Sequence, residues 1–391
     1  MGIFFRSKDK KELALVFDLG SSSVGGALFE IQKHGIPKIV LSIREPIILE
    51  DKIDINQFLS LAIKSLEIVA KRICMAGVGK PSKIFCTLSS PWYASQTRVI
   101  KLEKNAPFLF TSKLADSLIQ KEISLFEEEN LAKFSRDDNK IQLIEFKNMK
   151  TTLNGYVTPD PLNKKTKKLE MTVFISMSID KILRKIEETI SKHFHPDNIK
   201  FSSFVIASFT VARDIFVGQN NFLLVDIAGE VTDISMIKND ILINSISYPL
   251  GYNFIVRGVA ESLNCTLSEA ESFISLYKDE HATESIEKKL EPIVNKLKAQ
   301  WLGRFQESLI NLSDNISVPA TIFITVDQGL TGFFSKIIKN DQFNKYTLTE
   351  PEFRIIFLDV KTLNGITAFK DNVNRDLFLV IESIYLNRFI C

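Results

Sequence analysis

The chain has 391 residues, of which 45% are hydrophobic and 25% are charged, and its formal net charge is +2. This length exceeds one ordinary hydrophobic core and predicts two or more folding units. The near-neutral charge gives no support for a nucleic-acid-binding or membrane-surface protein. The cysteines are scattered, no apolar run reaches roughly 18–20 residues, and residues 1–5 lack a secretory pattern, so we expect a cytoplasmic protein.

The first predicted element is a β-hairpin over residues 13–31. An apolar run ends at Asp18, and Gly20 and three serines separate it from a second apolar run. Exposed backbone N–H groups in such a small turn form an anion-binding nest, and a carboxylate at a strand end is placed to hold a hydrated cation beside a phosphate. An ordinary hairpin turn is the competing interpretation, because the motif alone has low specificity.

The hairpin continues into a pattern of alternating strand and helix signals. Residues 36–43 predict a third strand, and Asp54 predicts the N-cap of a helix whose apolar positions recur at helical spacing up to Ile73. Residues 83–89 predict another strand. Three strands, a helix and a further strand are the opening of an α/β unit.

The pattern changes between residues 90 and 169. Strands at 96–102 and 141–146 and a helix at 112–126 predict a small α+β insert. This region also carries four lysines, at 164, 165, 167 and 168. They favour a solvated loop over a site for an acidic partner, because no aromatic residues are interleaved with them.

A second acidic hairpin follows in the next part of the chain. It is preceded by a predicted strand at 169–177, a helix at 178–194, a strand at 201–206 and a short helix at 209–216. An apolar strand then ends at Asp226, the small residues Ala228 and Gly229 form a turn, and a return strand carries Thr232. Because this repeats the first hairpin, the sequence predicts an internal duplication.

The last third of the chain is mainly helical. Thr266 and Glu269 form a capping box that begins one helix, and residues 287–312 predict a long amphipathic helix. Residues 320–326 predict a buried strand. Residues 374–390 are apolar round most of a helical circumference, which is typical of a buried helix.

Several segments carry a family resemblance when they are taken together in order. Residues 15–31 resemble the first phosphate motif of the actin-like ATPase superfamily, with the sequence LVFDLGSSSVGGALFEI. Residues 222–237 resemble its second phosphate motif, with the sequence FLLVDIAGEVTDISMI. Residues 246–273 resemble the segment that follows this motif in the division protein FtsA and its pilus relative PilM, with the sequence ISYPLGYNFIVRGVAESLNCTLSEAESF. Residues 141–177, with an Asn-Gly turn and a Pro-rich stretch, resemble the insert subdomain of FtsA.

The resemblance implies an α/β architecture with a duplicated actin-like, ribonuclease H-like, two-domain fold and a nucleotide cleft. The first domain would comprise residues 1–89 and 170–215, closed by a helix at 374–391. The small α+β insert would comprise residues 90–169 and mediate contacts with a partner. The second domain would comprise residues 216–373.

The resemblance also implies a site for ATP and Mg²⁺ in the cleft. Asp18 and Asp226 would be the catalytic carboxylates and would hold hydrated Mg²⁺. Backbone groups of the two turns and nearby residues would contact the phosphates: Gly20, Ser21, Ser22, Ser23, Ala228, Gly229, Glu230, Thr232 and Gly251. Glu271 would approach the ribose, and Gly329 would lie nearest the adenine.

Some positions depart from the family pattern. Ala228 and Glu230 stand where glycine is usual, and Tyr252 stands in place of a second glycine. Asp327 lies where the adenine-side motif has glycine, and Ile274 replaces a basic residue. Because side chains at these positions take room that a nucleotide would use, a chain that no longer binds nucleotide is left open.

The functional expectation is an ATP-binding cytoplasmic scaffold of the FtsA type in bacterial cell division. It would assemble with itself, link to a membrane or filament partner, and be at most a slow ATPase. Membrane contact would be indirect, through proteins of a division or pilus membrane complex, and no nucleic acid is expected. The alternatives are a PilM-like component of type IV pilus assembly, a pseudo-ATPase scaffold and a small-molecule kinase.

Overall fold

The structure, a computed structural model, describes residues 12–32, 35–134, 140–279, 281–313, 317–339 and 353–390, so the N-terminal segment 1–5 lies outside it. The elements in chain order are β1 (Leu13–Leu19), β2 (Ser23–Glu30), β3 (Lys38–Pro46), α1 (Ile55–Met75), β4 (Lys83–Leu88), β5 (Ala94–Phe110), α2 (Ser112–Phe134), β6 (Ile141–Leu153), β7 (Tyr156–Val157), β8 (Lys164–Ile179), α3 (Asp180–Phe194), β9 (Ile199–Ser203), α4 (Phe204–Ile215), β10 (Phe222–Ile227), β11 (Thr232–Lys238), β12 (Ile241–Tyr248), α5 (Tyr252–Leu263), α6 (Leu267–Lys278), α7 (Glu284–Ser313), β13 (Thr321–Val326), a 3₁₀ turn (Gln328–Leu330), α8 (Thr331–Lys339), β14 (Arg354–Phe357), β15 (Ala368–Phe369) and α9 (Leu377–Ile390).

Two of the sheets repeat the same strand order. The first sheet runs β15-β3-β2-β1-β4-β9, and the second runs β12-β11-β10-β13-β14. In each, a central strand pairs antiparallel with the return strand of its hairpin and parallel with the strand on its other side. The duplication predicted from the two acidic hairpins is therefore confirmed.

Helices cover both faces of the first sheet. Alternate β1 residues belong to different cores: Leu15 and Phe17 pack with α1 and α3, whereas Ala14 and Val16 pack with α4 and α9. A strand buried on both faces is apolar throughout, which explains the unbroken hydrophobic run that leads to Asp18.

The layer formed by α4 and α9 is shared by the two domains. Its core also includes Phe222, Leu224 and Phe323 from the second sheet. Helices α5 to α8 cover the other face of that sheet, around the fully buried Trp301. A single hydrophobic layer therefore joins the first sheet to the second.

Helix α4 begins earlier than the sequence pattern predicts. A strand was expected to extend to residue 206, but β9 ends at Ser203 and α4 starts at Phe204. Most of the helix is buried, including Val205, Ile206 and Phe209. A helix that is apolar on nearly all sides loses the helical period and resembles a buried strand, which is why the prediction was wrong.

The insert forms a separate antiparallel sheet in the order β5-β8-β6-β7. Helix α2 packs against it around Phe110, Phe126 and Met171. The lysine run expected in a loop lies at the start of β8, and the proposed boundary between residues 169 and 170 falls inside this strand. Strand β15, proposed for the second domain, pairs with β3 of the first sheet.

Candidate functional site

The turns of the two acidic hairpins touch each other. The first turn (residues 20–22) follows β1, and the second turn (residues 228–231) follows β10. The backbone N–H of Glu230 donates to Ser21 Oγ at 3.0 Å. A Cβ atom on Gly229 would lie 2.7 Å from Ser22 Cβ and 3.0 Å from the Ser21 carbonyl oxygen. A residue with no side chain is therefore required at Gly229 for this close approach.

A cavity of about 660 Å³ opens beside the two turns. Of the residues proposed from the sequence, those that line it are Asp18, Gly20, Ser21, Ser22, Ser23, Asp226, Ala228, Gly229, Glu271 and Gly329. The other three do not line it: Glu230 belongs to the second turn itself, Thr232 begins β11, and Gly251 immediately precedes α5. The structure thus brings both aspartates and most of the proposed cradle to one cavity.

Several backbone donors of the two turns are already used within the protein. The Gly20 N–H donates to the Ser23 carbonyl at 3.1 Å, and the Ala228 N–H donates to the Val231 carbonyl at 3.0 Å. The Glu230 N–H is occupied by Ser21, as described above. These three groups shape the turns and do not point as free donors at a ligand.

The start of α5 braces the second turn from behind. The N–H groups of Gly251, Tyr252 and Asn253 donate to the carbonyls of Glu230, Ala228 and Gly229, at 3.2, 3.0 and 2.8 Å. A Cβ atom on Gly251 would overlap the Gly229 and Ala228 carbonyl oxygens. Only glycine allows the helix to approach the turn this closely.

The Glu230 side chain continues this bracing. Its carboxylate accepts two hydrogen bonds from Arg257, at 2.7 and 2.8 Å, and one from Asn253 Nδ2 at 2.7 Å. Thr232 is fully buried, donates to the Leu250 carbonyl at 2.7 Å and accepts from the Trp301 indole at 3.2 Å. The departure from glycine at Glu230 thus anchors the second turn to α5.

Asp18 is paired with an arginine inside the protein. Arg44 Nη2 lies 2.7 Å from Asp18 Oδ2, and Arg44 Nη1 donates to Ser23 Oγ at 2.9 Å. The same guanidinium binds Asp376 through Nε and through Nη2, the latter at 3.0 Å. Burial raises the pKa of Asp18, although Arg44 opposes this rise. Burial also acts to raise the pKa of Asp376, but Arg44 and the backbone N–H groups of α9 outweigh it and hold that pKa below its usual value.

A further buried carboxyl group lies beside Asp18. Glu382, on α9, is fully buried, and neither of its carboxyl oxygens nor Asp18 Oδ1 has an assigned donor. Burial and the neighbouring Asp18 raise the Glu382 pKa well above its usual value. The Glu382 carboxyl group is placed to share a hydrogen bond with Asp18.

Asp226 has a different environment. It faces Asp233 across the β10–β11 pair and accepts a hydrogen bond from Thr325 Oγ1 at 2.7 Å. Burial, together with Asp233 and Asp18, raises the pKa of Asp226 to about 8, although the Thr325 bond opposes this. Asp226 therefore holds a proton at neutral pH.

The far end of the cavity is formed by α5, α6 and the turn after β13. Glu271 and Lys278 project from α6, and a Cβ atom on Gly329 would lie 3.7 Å from Lys278 Nζ. Burial, with Glu271 and Asp327 nearby, raises the pKa of Tyr252 to about 12. The family pattern has a basic residue on this helix where the chain has the buried Ile274. Lys278, one turn further along α6, supplies a cationic group to the cavity instead.

Comparison with known proteins relates the chain to solved structures. No family model matches the sequence, and no curated protein matches it. PilM from a PilM–PilN type IV pilus biogenesis complex is 14% identical, the match covers 96% of both chains, and the TM-score is 0.59. The chain has an actin-like ATPase fold.

Other structures of this fold are more distant. A Bacteroides thetaiotaomicron protein with an actin-like ATPase fold and unknown function is 8% identical over 99% of both chains, with a TM-score of 0.40. The ethanolamine utilization protein EutJ of Carboxydothermus hydrogenoformans is 11% identical, covering 96% of this chain and 89% of that one, with a TM-score of 0.42.

The residues of this actin-like cleft do not fit a hydrated divalent cation. Asp18 Oδ2 is bound by a guanidinium, and Asp18 Oδ1 faces the buried Glu382 side chain. One oxygen of Asp226, Oδ1, already accepts the hydrogen bond from Thr325. Among the residues that the structure describes, no group of three or more carboxylate, histidine or cysteine side chains is arranged to hold a metal ion.

Sequence reasoning missed Arg44, which looks like an ordinary strand residue. The available signal was Gly25, inside a strand where glycine is unfavourable. Asp18, Gly25 and Arg44 are in register on three neighbouring strands. A Cβ atom on Gly25 would lie 2.8 Å from Arg44 Nη2, so the glycine makes the arginine–aspartate contact possible.

Proposed function

We propose that this chain is an actin-like scaffold of the PilM type, which binds proteins of a membrane-associated pilus complex. The observation that carries the proposal is the whole-chain similarity to PilM, with a TM-score of 0.59 over 96% of both chains. A match of this extent includes the insert as well as the two actin-like domains. Within the described residues no helix is long and apolar enough to cross a bilayer. In this proposal the membrane contact is made by the partner.

The site supports a scaffold rather than a catalyst. The carboxylate best placed for metal chemistry, Asp18, is paired with Arg44, and the second one, Asp226, accepts a hydrogen bond from Thr325. ATP remains the ligand that we propose for the cavity, whose volume of about 660 Å³ is in the range of small-molecule sites. Glu271 would contact the ribose of the ATP, and Gly329 would contact its base. Binding of ATP in the cavity would set how the two domains pack against each other.

A division scaffold of the FtsA type is the second candidate. It is favoured by the tip of the insert, where Asn154 and Gly155 connect β6 to β7 with φ angles of 51° and 86°. Positive φ at both residues is the geometry of a tight two-residue hairpin, as the Asn-Gly sequence predicts. Self-assembly and a filament partner belong to this candidate.

A binding experiment separates the two candidates. Labelled peptides from the cytoplasmic tails of pilus membrane proteins and from division filament proteins of the same cell are titrated with the purified chain. We expect fluorescence anisotropy to show saturable binding of a pilus-protein tail peptide and no binding of a scrambled version of that peptide. Binding of the division peptide alone would overturn the PilM-type proposal and favour the division scaffold.

Sedimentation with and without ATP tests self-assembly. Nucleotide-dependent pelleting of the chain in the absence of peptide is the result that the division candidate predicts. A chain that stays in the supernatant under both conditions agrees with the PilM-type proposal.

A further inference from the structure

Arg44 lies where a cation is expected in this cleft. Its guanidinium contacts Asp18, Asp376 and Ser23, and its side chain is only 20% exposed. We propose that Arg44 replaces the divalent cation of the phosphate site as a permanent counter-ion, so that this cleft binds no Mg²⁺ at Asp18. The inference concerns the metal position alone and is independent of which partner the scaffold binds.

The contact is built into three strands and a helix. Asp18 on β1, Gly25 on β2 and Arg44 on β3 are in register, so the arginine side chain crosses the β2 backbone to reach the aspartate. The guanidinium also lies over the Phe378 ring, with 5.4 Å between Cζ and the ring centroid. These contacts fix the cation position in the folded chain.

The same contacts exclude a metal ion. A hydrated Mg²⁺ needs carboxylate oxygens that face its water shell. Asp18 Oδ2 is occupied by Arg44, and the Asp18 side chain is 3% exposed. A divalent ion at this carboxylate would also lie close to the positive guanidinium, and like charges repel most strongly where water is excluded.

A purely structural role is the competing explanation for Arg44. Asp376 precedes α9, and its Oδ1 accepts from the Leu379 N–H at 3.1 Å. Arg44 therefore also ties β3 to the start of the last helix. A structural tie alone predicts lower stability when Arg44 is removed, but it predicts no new response to metal ions.

The test measures the metal dependence of thermal unfolding. We expect the unmodified chain to unfold at the same temperature in millimolar Mg²⁺ or Mn²⁺ and in EDTA. Arg44→Ser leaves Asp18 and Asp376 without their counter-ion, and we expect it to gain a metal-dependent rise in Tm of a few degrees. Arg44→Lys keeps a positive charge and should show no metal response.

Arg375→Ser is the matched control. Arg375 lines the same cavity, but its guanidinium lies over the Phe369 ring, 5.2 Å from the centroid. This variant should show no metal response. If circular dichroism shows that Arg44→Ser is unfolded, Arg44→Gln, which keeps hydrogen-bonding groups, replaces it.

Two results would overturn the proposal. One is Mg²⁺-dependent stabilisation of the unmodified chain that Asp18→Asn abolishes. The other is a folded Arg44→Ser or Arg44→Gln variant with no metal-dependent change in Tm, which would leave Arg44 as a structural tie only. Titration calorimetry with Mn²⁺ on the unmodified chain provides an independent measurement, and heat from a stoichiometric site lost in Asp18→Asn would contradict the proposal.

Discussion

Asp226 is the residue whose protonation we expect to control the pH dependence of stability. Its pKa is about 8 in the folded chain and near 3.8 in an unfolded one, because it is buried opposite Asp233 and close to Asp18. Between these values the folded state holds a proton that the unfolded state has lost. Stability therefore falls as pH rises from about 4 to about 8, by up to about 1.4 kcal/mol per pH unit.

Asp226→Asn tests this because the amide does not titrate. We expect the variant to be more stable than the unmodified chain at pH 8, with a difference that shrinks as the pH approaches 4. Denaturant unfolding across this range measures it. Asp233 also has a raised pKa and interacts with Asp226, so the difference between the two proteins reports the titration of the pair. A difference that does not change with pH would contradict the assignment.

Glu230 and Arg257 form the buried ion pair that holds the second turn. Removing one partner leaves a buried charge unpaired, so we expect Arg257→Met to lower the free energy of unfolding by about 3–5 kcal/mol. Glu230→Gln combined with Arg257→Met should recover part of that loss. Chemical denaturation of the two single variants and the double variant gives the coupling energy.

The control is a pair of the same type on the surface. Lys288 and Glu284 on α7 are paired at 2.6 Å, but their side chains are 74% and 82% exposed. Lys288→Met should therefore change stability by less than about 1 kcal/mol. Equal losses in Arg257→Met and Lys288→Met would show that the buried pair does not anchor the turn.

At the scale of elements, the approach of α5 to the second turn depends on Gly251. A methyl group there would overlap two carbonyl oxygens of the turn, so Gly251→Ala must push the helix away. We expect this variant to lose at least about 2 kcal/mol of stability, because backbone atoms cannot yield as a flexible side chain would. Thermal and denaturant unfolding measure the loss.

Gly303→Ala is its control within a helix. Gly303 is exposed in α7, and a Cβ atom there would meet nothing within 4 Å. Alanine has the higher helix propensity, so this variant should gain roughly 0.5–1 kcal/mol. Opposite signs for the two substitutions are the expected result, and a neutral Gly251→Ala would contradict the close packing of α5.

The two hairpins and their duplication could be predicted, because strand patterns and small turns are local signals. The Arg44 contacts could not, since its partners Asp18 and Asp376 are 26 and 332 positions away. The start of α4 was mispredicted because the helix lies between two sheets, and burial of most of its residues weakens the periodicity on which the prediction depends.

At the scale of the whole molecule, the two domains are joined by polar contacts as well as by the shared α4–α9 layer. Ser21 accepts from the Glu230 N–H, and Ser90, at the start of the insert, donates to Asp233 Oδ1 at 2.9 Å. The insert thus contacts the second sheet directly. Ser90 therefore binds the same carboxyl group, Asp233, that together with burial raises the pKa of Asp226.

The insert is also fastened to the last helix, through Glu145 on β6. Tyr385 on α9 donates its hydroxyl to Glu145 Oε1, and the Ser203 N–H and Oγ donate to Oε2 at 3.0 and 2.9 Å. Tyr385→Phe removes the hydroxyl donor and leaves the buried Glu145 Oε1 with only Lys147 Nζ, 3.9 Å away. We expect it to cost about 1–3 kcal/mol of stability and to make the insert more sensitive to limited proteolysis, because a hydrogen bond that ties the insert to α9 is lost.

Tyr156→Phe is the control for this last substitution, since Tyr156 is 77% exposed on β7 and should tolerate the change. Faster cleavage within the insert in Tyr385→Phe, while the two-domain core stays protected, would show that the insert is held as a separate unit. Loss of stability without a change in the cleavage pattern would instead mean that Glu145 supports the core as a whole. In that case, the insert strand β6 and helix α9 would belong to one cooperative unit.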